Sequence, residues 1–329
     1  MTKLSCEYMG LSLKSPFVVA SSGLTQSVDK MKEFEANGAS AIIVKSLFEE
    51  QIRNEVHHIT KKEAHNNSYP EAQEYIHEYT RKNTLEKHIN IISKAKEALE
   101  IPVIASISCI TNKEWEEVAK KVEEAGADAI EINAFIIPTD RNQTSEEIEK
   151  RYIEILKTVK SATNLPIGMK IGSNFTNIVR MVDQLKAYGA TSVTLFNRFY
   201  EPDIDIETMN IVSSEIFSNS SELRKSLRWV GIVSGYVEGI DIAASTGIHN
   251  GEDVIKQLLA GATVTQMCST LYIHGAQKLS EIESTLTSWM EKWNFNNINE
   301  FRGRLSSNPE MDQQLFERAQ FMKYFSDHI

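Results

Sequence analysis

Along most of the chain, short apolar runs alternate with longer stretches in which apolar side chains recur every three or four positions. The short runs predict buried strands and the longer ones amphipathic helices. Eight strands are predicted: "PFVVAS" (16–21), "AIIVKS" (41–46), "PVIASIS" (102–108), "DAIEIN" (128–133), "PIGMKIG" (166–172), "SVTLFN" (192–197), "DIAAS" (241–245) and "TVTQMCS" (263–269). Between them lie helices such as "NKEWEEVAKKVEEAG" (112–126), where Trp115, Val118, Ala119 and Val122 share one face and Gly126 closes the end. Similar Gly-Ala endings recur in "NGAS", "AGAD", "YGAT" and "AGAT", each leading straight from a helix into a buried strand.

Eight such units predict a (β/α)8 TIM barrel. The alternative, an open doubly wound sheet, normally announces itself by GxGxxG after an early strand, and the chain has no such motif. Two polar stretches, 47–83 and 198–221, break the repeat after strands and are expected as insertions over the C-terminal face. Residues 1–295 are read as the barrel, and 296–329 as a C-terminal helical extension that packs on it or on a partner subunit.

Composition narrows the class. With 329 residues, 41% of them hydrophobic and 24% charged, the chain can bury a large α/β core. A formal net charge of -10 argues against a nucleic-acid surface. No segment approaches the roughly 20 apolar residues of a membrane helix, and the start lacks a signal-peptide pattern, so no membrane association is expected. Cys6, Cys109 and Cys268 lack any CxxC or Cys/His spacing, which points to a reduced, cytoplasmic protein without a disulfide framework. His57, His58 and His65 have no ligand spacing, and no metal site is expected.

In a barrel, chemistry belongs to polar residues at the C-terminal ends of strands. Here those are Ala20 and Ser21, Lys45 and Ser46, Asn133, Lys170, Asn197, Thr246 and Gly247, and Cys268 and Ser269. Lysines that end apolar strands are costly to bury without an anionic or electron-rich ligand. Small residues after the last two strands let backbone N–H groups approach a phosphate. Asparagines offer donor and acceptor together, which suits a heterocycle bearing carbonyl and N–H groups.

At these residues the chain resembles the dihydroorotate dehydrogenase family of FMN-dependent barrels. "LSLKSPFVVASSG" resembles the family's opening strand, "AIIVKS" its Lys-Ser pair, and "IEIN", "GMKIG" and "TLFN" the strands that carry Asn133, Lys170 and Asn197. "STGIHNGEDVIKQLLAGATVTQMCSTLY" resembles its phosphate-binding finish, with Thr246 in place of a glycine and Cys268-Ser269 in place of Gly-Thr. The resemblance implies FMN held by Ala20, Ser21, Lys45, Ser46, Asn133, Lys170, Asn197, Thr246, Gly247, Cys268 and Ser269. It also implies an orotate-like substrate held by Lys45, Asn67, Asn133 and Asn197, a possible homodimer, and a place in pyrimidine biosynthesis.

One stretch departs from the family. Where a cysteine or serine removes the substrate's C5 proton, "NAFIIPTD" has Ile136 or Ile137, neither able to accept a proton, and Thr139 is the nearest hydroxyl. Three readings therefore stay open: dihydroorotate oxidation through another base, flavin chemistry on a different small substrate, or flavin or phosphate binding without dihydroorotate turnover. A flavin-free lyase or isomerase using Lys45 or Lys170 is a more distant fourth.

Overall fold

In the computed structural model of the chain, the described residues are 2–48, 70–108, 115–199, 201–307 and 316–317. A short antiparallel hairpin comes first, β1 (Cys6–Tyr8) and β2 (Leu11–Leu13). The barrel follows with β3 (Phe17–Val19) and β4 (Ala41–Ile43), the short β5 (Leu47–Phe48), then β6 (Val103–Ser108), β7 (Ala129–Asn133), β8 (Ile167–Ile171) and β9 (Ser192–Leu195). An antiparallel excursion, β10 (Pro202–Asp205) and β11 (Asn210–Ser213), precedes the last two barrel strands, β12 (Asp241–Ser245) and β13 (Val264–Met267).

The barrel pairing is parallel throughout, in the order β4-β3-β13-β12-β9-β8-β7-β6, and β4 also pairs with β6 to close the ring. The fold is a closed (β/α)8 barrel, as the alternation predicts. All eight predicted strands form, and most lose one to three residues at their ends. "DIAAS" keeps its full predicted range, whereas "TLFN" leaves the ladder after Leu195. The residues shed at the C-terminal ends include the polar Ser21, Lys45, Ser46, Asn197 and Ser269, together with the buried Val44 and Phe196.

Side-chain alternation sorts each strand into an outward row and an inward row. Phe17, Val19, Ile42, Val103, Ala105, Ile130 and Ile132 pack outward under the helices. Val18, Ala41, Ile43, Ile104, Ala129, Ala243 and Val264 form a separate inner cluster, plugged from below by Cys6, Tyr8, Met9 and Leu13 of the hairpin. Two residues further along the strands the inward row turns polar, with Ser106, Glu131, Lys170, Thr194 and Gln266, all buried. Another step of two leads from Glu131 to Asn133, while on β12 a single such step from Ala243 leads to Ser245. The barrel is thus an apolar plug, a polar middle layer and a polar rim.

The helices bury the faces their periodicity marks. Trp115–Glu124 buries Trp115, Val118, Ala119 and Val122, and each of the two valines contributes about 1.5–3 kcal/mol relative to exposure. Gly251–Ala260 is capped by the Asn250 side chain, which accepts from the Asp253 N–H, and it closes at Gly261, whose φ of +114° favours glycine.

The segment after the last long helix (Gln277–Lys292) makes a single 3-10 turn, Ile298–Glu300, and then crosses the outside of the barrel. Gly303 and Leu305 donate backbone N–H bonds to Leu258 and Leu259, and Ser307 to Gly231, each at 2.9 Å. The helical character expected further along the tail falls outside the described residues, as do residues 49–69 of the first insertion. The second insertion, polar in sequence, folds as the β10–β11 hairpin. Ile204 lies opposite Ile211 on one of its faces.

Candidate active site

The C-terminal mouth contains a cavity of about 340 Å³. Ala20, Ser21, Lys170, Asn197, Thr246, Gly247, Cys268 and Ser269 line it, together with Ser245, Gln266, Arg198 and the segment Ser213–Ile216. Residues from five barrel strands or their following loops thus meet at one opening.

Lys170 projects into it from the buried middle layer. Its Nζ donates to Gln266 Oε1 at 3.3 Å and lies 3.9 Å from Glu131 Oε1. Glu131 is 2% exposed. Its Oε2 accepts from Gln266 Nε2 and, at 3.0 Å, from Thr194 Oγ1, while Oε1 has no hydrogen bond. A lone ammonium would be expensive in this interior, and the carboxylate supplies its counter-charge.

Asn133 and Asn197 meet above this layer, with Asn197 Nδ2 donating to Asn133 Oδ1 at 2.9 Å. Ser46 does not line the cavity but supports a residue that does. Its backbone N–H donates to Ser21 Oγ at 2.8 Å, and its hydroxyl bonds both Ser21, at 3.0 Å, and Ser106, at 2.6 Å. Lys45 is half-buried at the rim, and among the described residues its ammonium has no hydrogen-bond partner. Asn67 lies outside the described residues.

The loops after β12 and β13 are drawn together by Ser218. Its backbone N–H donates to Ser269 Oγ at 3.0 Å, its hydroxyl accepts from Gly247 N–H at 3.4 Å, and it bonds His249 Nε2 at 3.2 Å. Burial pushes the His249 imidazole below its ordinary range. Gly247 has φ +77°, and a Cβ there would collide with the Leu223 backbone. Thr246 takes φ +78° without being glycine, a strained conformation for a β-branched residue. Its hydroxyl donates to Phe196 O at 3.3 Å. Burial raises the Cys268 thiol above its usual range, against the Ser22 hydroxyl and the Lys170 charge.

Arg198 lines the cavity, yet its charge is already engaged. Nε donates to Glu222 Oε2 at 2.9 Å, while Nη1 and Nη2 donate to the carbonyls of Ile216, at 2.8 Å, and Glu215, at 3.1 Å. It staples the 213–218 wall over the opening.

The loop after Asn133 turns away from this cavity. Ile136 is half-buried, its N–H donating to Tyr152 Oη at 3.2 Å. With Phe135 and Pro138 it lines a neighbouring cavity of about 70 Å³. Phe135 stacks on Phe199, 3.9 Å between ring centroids, and Phe199 borders both cavities. Ile137 and Thr139 are exposed, and Thr139 lines neither cavity.

The sequence model of the family described as "Dihydroorotate dehydrogenase" matches residues 3–290. The chain belongs to the dihydroorotate dehydrogenase family. Relatives include the catalytic subunit of dihydroorotate dehydrogenase B (NAD(+)) of Thermoplasma volcanium, 28% identical over 92% of this chain and 98% of that protein. Dihydroorotate dehydrogenase A (fumarate) of Limosilactobacillus reuteri is 24% identical over 88% of this chain and 94% of its own length. The NAD-dependent dihydropyrimidine dehydrogenase subunit PreA of Escherichia coli K12 is also 24% identical, over 93% of this chain and 77% of that one.

Three participants in this family member's site escaped the sequence reading. Glu131 and Gln266 sit on strands, each two residues before a named rim residue, so stepping inward by the strand period would have flagged them. Ser218 lies in an irregular loop and carries no comparable signal.

Proposed function

We propose that this family member is an FMN-dependent oxidoreductase that removes two electrons from a ring CH–CH bond of a dihydroorotate-like heterocycle. The observation that carries the reading is the cavity shared by Lys170, Asn197, Gly247 and Ser269 at the barrel mouth. Its volume falls within the range of ligand pockets, and its walls combine small residues with a few convergent polar groups.

The residues fit a phosphorylated flavin. Gly247 and the small Ser269 line the cavity and would let the backbone of their two loops approach a phosphate, with Thr246 and Cys268 completing those loops. Lys170 carries ammonium protons beyond the one given to Gln266, suited to an electron-rich ring edge. Ala20 and Ser21 offer a close flat wall, held by Ser46. Bound there, FMN would supply the two-electron acceptor. Asn133 and Asn197, with Lys45 and Asn67, would orient the substrate's carbonyl and N–H groups.

One observation favours a different small substrate for the same flavin chemistry. No side chain of the 134–140 loop lines the larger cavity, and the loop presents Phe135, Ile136 and Pro138 to the smaller one. A substrate that needs no proton acceptor from this loop suits that arrangement.

Reconstitution with FMN followed by anaerobic stopped-flow mixing with dihydroorotate, and separately with dihydrouracil, tests both readings. Bleaching by dihydroorotate at a catalytically useful rate supports the first. Bleaching by dihydrouracil alone supports the second, with the ring's C5 proton then leaving to an acceptor outside the 134–140 loop. A protein that takes up no FMN overturns both.

The proposal includes a homodimer in the cytoplasm. The face of the β10–β11 hairpin that carries Ile204 and Ile211 is uncovered, these two being 65% and 76% exposed, and Ile206 and Met209 flank it at 80% and 86%. Residues 201–215 hold five acidic side chains and no basic one. Arg224 and Lys225, exposed on the adjoining helix Leu223–Tyr236, offer the complementary charge on a second copy. Cys6 and Cys268 are free thiols, in keeping with a reduced compartment. Among the described residues no helix is long and apolar enough to cross a membrane.

A further inference from the structure

We infer that Glu131 is a positioning residue that sets the redox behaviour of the bound flavin by acting through Lys170; the inference rests on the flavin reading above. Glu131 is 2% exposed in the barrel's middle layer. Its two oxygens have different surroundings. Oε2 is saturated by Gln266 Nε2 and Thr194 Oγ1. Oε1 is buried without a hydrogen bond, and the nearest cation is Lys170 Nζ at 3.9 Å.

That distance is an ion pair without a hydrogen bond, so the ammonium is held near the carboxylate without being consumed by it. Gln266 completes the arrangement. It accepts from Lys170 at 3.3 Å through Oε1 and donates to Glu131 through Nε2, so its orientation is fixed by both charges. A purely structural ion pair in a dry interior would close to hydrogen-bond contact and satisfy both oxygens. Here the lysine reaches the cavity wall with ammonium protons to spare, and Glu131 stays buried behind it, absent from the lining.

A ligand edge that gains negative charge on reduction is stabilised by Lys170 and opposed by Glu131 behind it. The carboxylate therefore offsets part of the lysine's charge as felt in the cavity and keeps the reduced cofactor from being bound too tightly to pass its electrons on. Thr194 and Gln266 hold Glu131 in that place.

The test is the midpoint potential and FMN dissociation constant of the reconstituted wild type, Glu131→Gln, Lys170→Met and the double variant. Glu131→Gln removes the charge while keeping the shape. It is expected to raise the potential by at least about 30 mV, which is a tenfold shift toward reduced over oxidised FMN for a two-electron couple. In the Lys170→Met background the same substitution is expected to shift it by much less, because the two residues act as one unit. Glu131→Asp, which draws the carboxylate back while keeping its charge, is expected to shift the potential in the same direction by a smaller amount. It also serves if the glutamine variant does not fold.

Unchanged potentials in Glu131→Gln or, failing that variant, in Glu131→Asp would overturn the inference, as would equal shifts with and without Lys170. A wild type that takes up no FMN removes the flavin reading and this inference together. FMN uptake with unmoved potentials removes this inference alone.

Discussion

The carboxamide of Asn197 donates to Asn133 Oδ1 at 2.9 Å, tying the ends of β9 and β7 together across β8. The bond fixes both amide orientations, so that Asn197, which lines the cavity, keeps its Oδ1 as acceptor and Asn133 its Nδ2 as donor.

Asn197→Ala is therefore expected to weaken substrate binding by roughly 10- to 100-fold, the cost of a lost hydrogen bond plus a freed partner. The change should appear in the concentration dependence of flavin reduction, with FMN content little altered. Asn133→Ala is expected to act in the same direction, and the double variant to lose less than the sum of the two.

Arg198 holds the 213–218 wall through Glu222 and two carbonyls, a planar fork that a lysine cannot reproduce. Arg198→Lys and Arg198→Ala are both expected to lower the melting temperature by about 2–4 °C and to loosen ligand binding. Differential scanning fluorimetry with and without FMN reads both effects. Full rescue by lysine would show that charge alone matters.

Thr139 is exposed and lines neither cavity. Thr139→Ala is expected to leave the rate of flavin reduction within about twofold, against the 10²–10⁴-fold that removal of a general base costs. A loss in that larger range would return Thr139 to the chemistry.

His88, buried in the helix Pro70–Ala98 with Nε2 unbonded among the described residues, has its pKa lowered to about 4 by burial. A depressed folded value means the unfolded chain binds the proton first. The stabilisation is complete above the unfolded value of 6.5 and is lost as pH falls from there toward 4. The loss is on the order of 3 kcal/mol for a shift of this size. Urea unfolding between pH 7 and 4 should show the slope in wild type and a flatter one in His88→Leu.

The hairpin supplies the last prediction. Ile204→Lys with Ile211→Lys places two charges on the uncovered face and is expected to convert a dimer to a monomer in light scattering coupled to size-exclusion chromatography, without loss of fold. A wild type that is monomeric at micromolar concentration would remove the dimer.

Much of the site was legible because strand periodicity is a local property. Lys170, Asn133 and Asn197 each end an apolar run, and any chain that closes eight such runs into a barrel must bring those ends to one mouth. The Gly-Ala helix endings were legible for the same reason, since a left-handed closing residue such as Gly261 is a demand of the local backbone.

Other features were not local. Glu131 reads in sequence as one charge within an apolar strand, and only the ring closure that sets β7 beside β8, with β13 across the interior, makes it the counter-charge of Lys170. Nothing local to Arg198 marks its partners, since folding delivers Glu222 and two carbonyls to it from residues 17 to 24 positions away. The polar stretch 198–221 reads as a loop, yet cross-strand pairing gives it an apolar face that its average composition conceals.

The sequence by itself determined the repeat of strand and helix, the closed barrel it implies, and the residue types at the rim, because these follow from periodicities of two and three to four positions. Only the tertiary structure decided which charges neutralise one another, which loop residues face the cavity, and that the 134–140 loop turns aside. Those outcomes depend on distances between segments far apart in the chain, which no local pattern encodes.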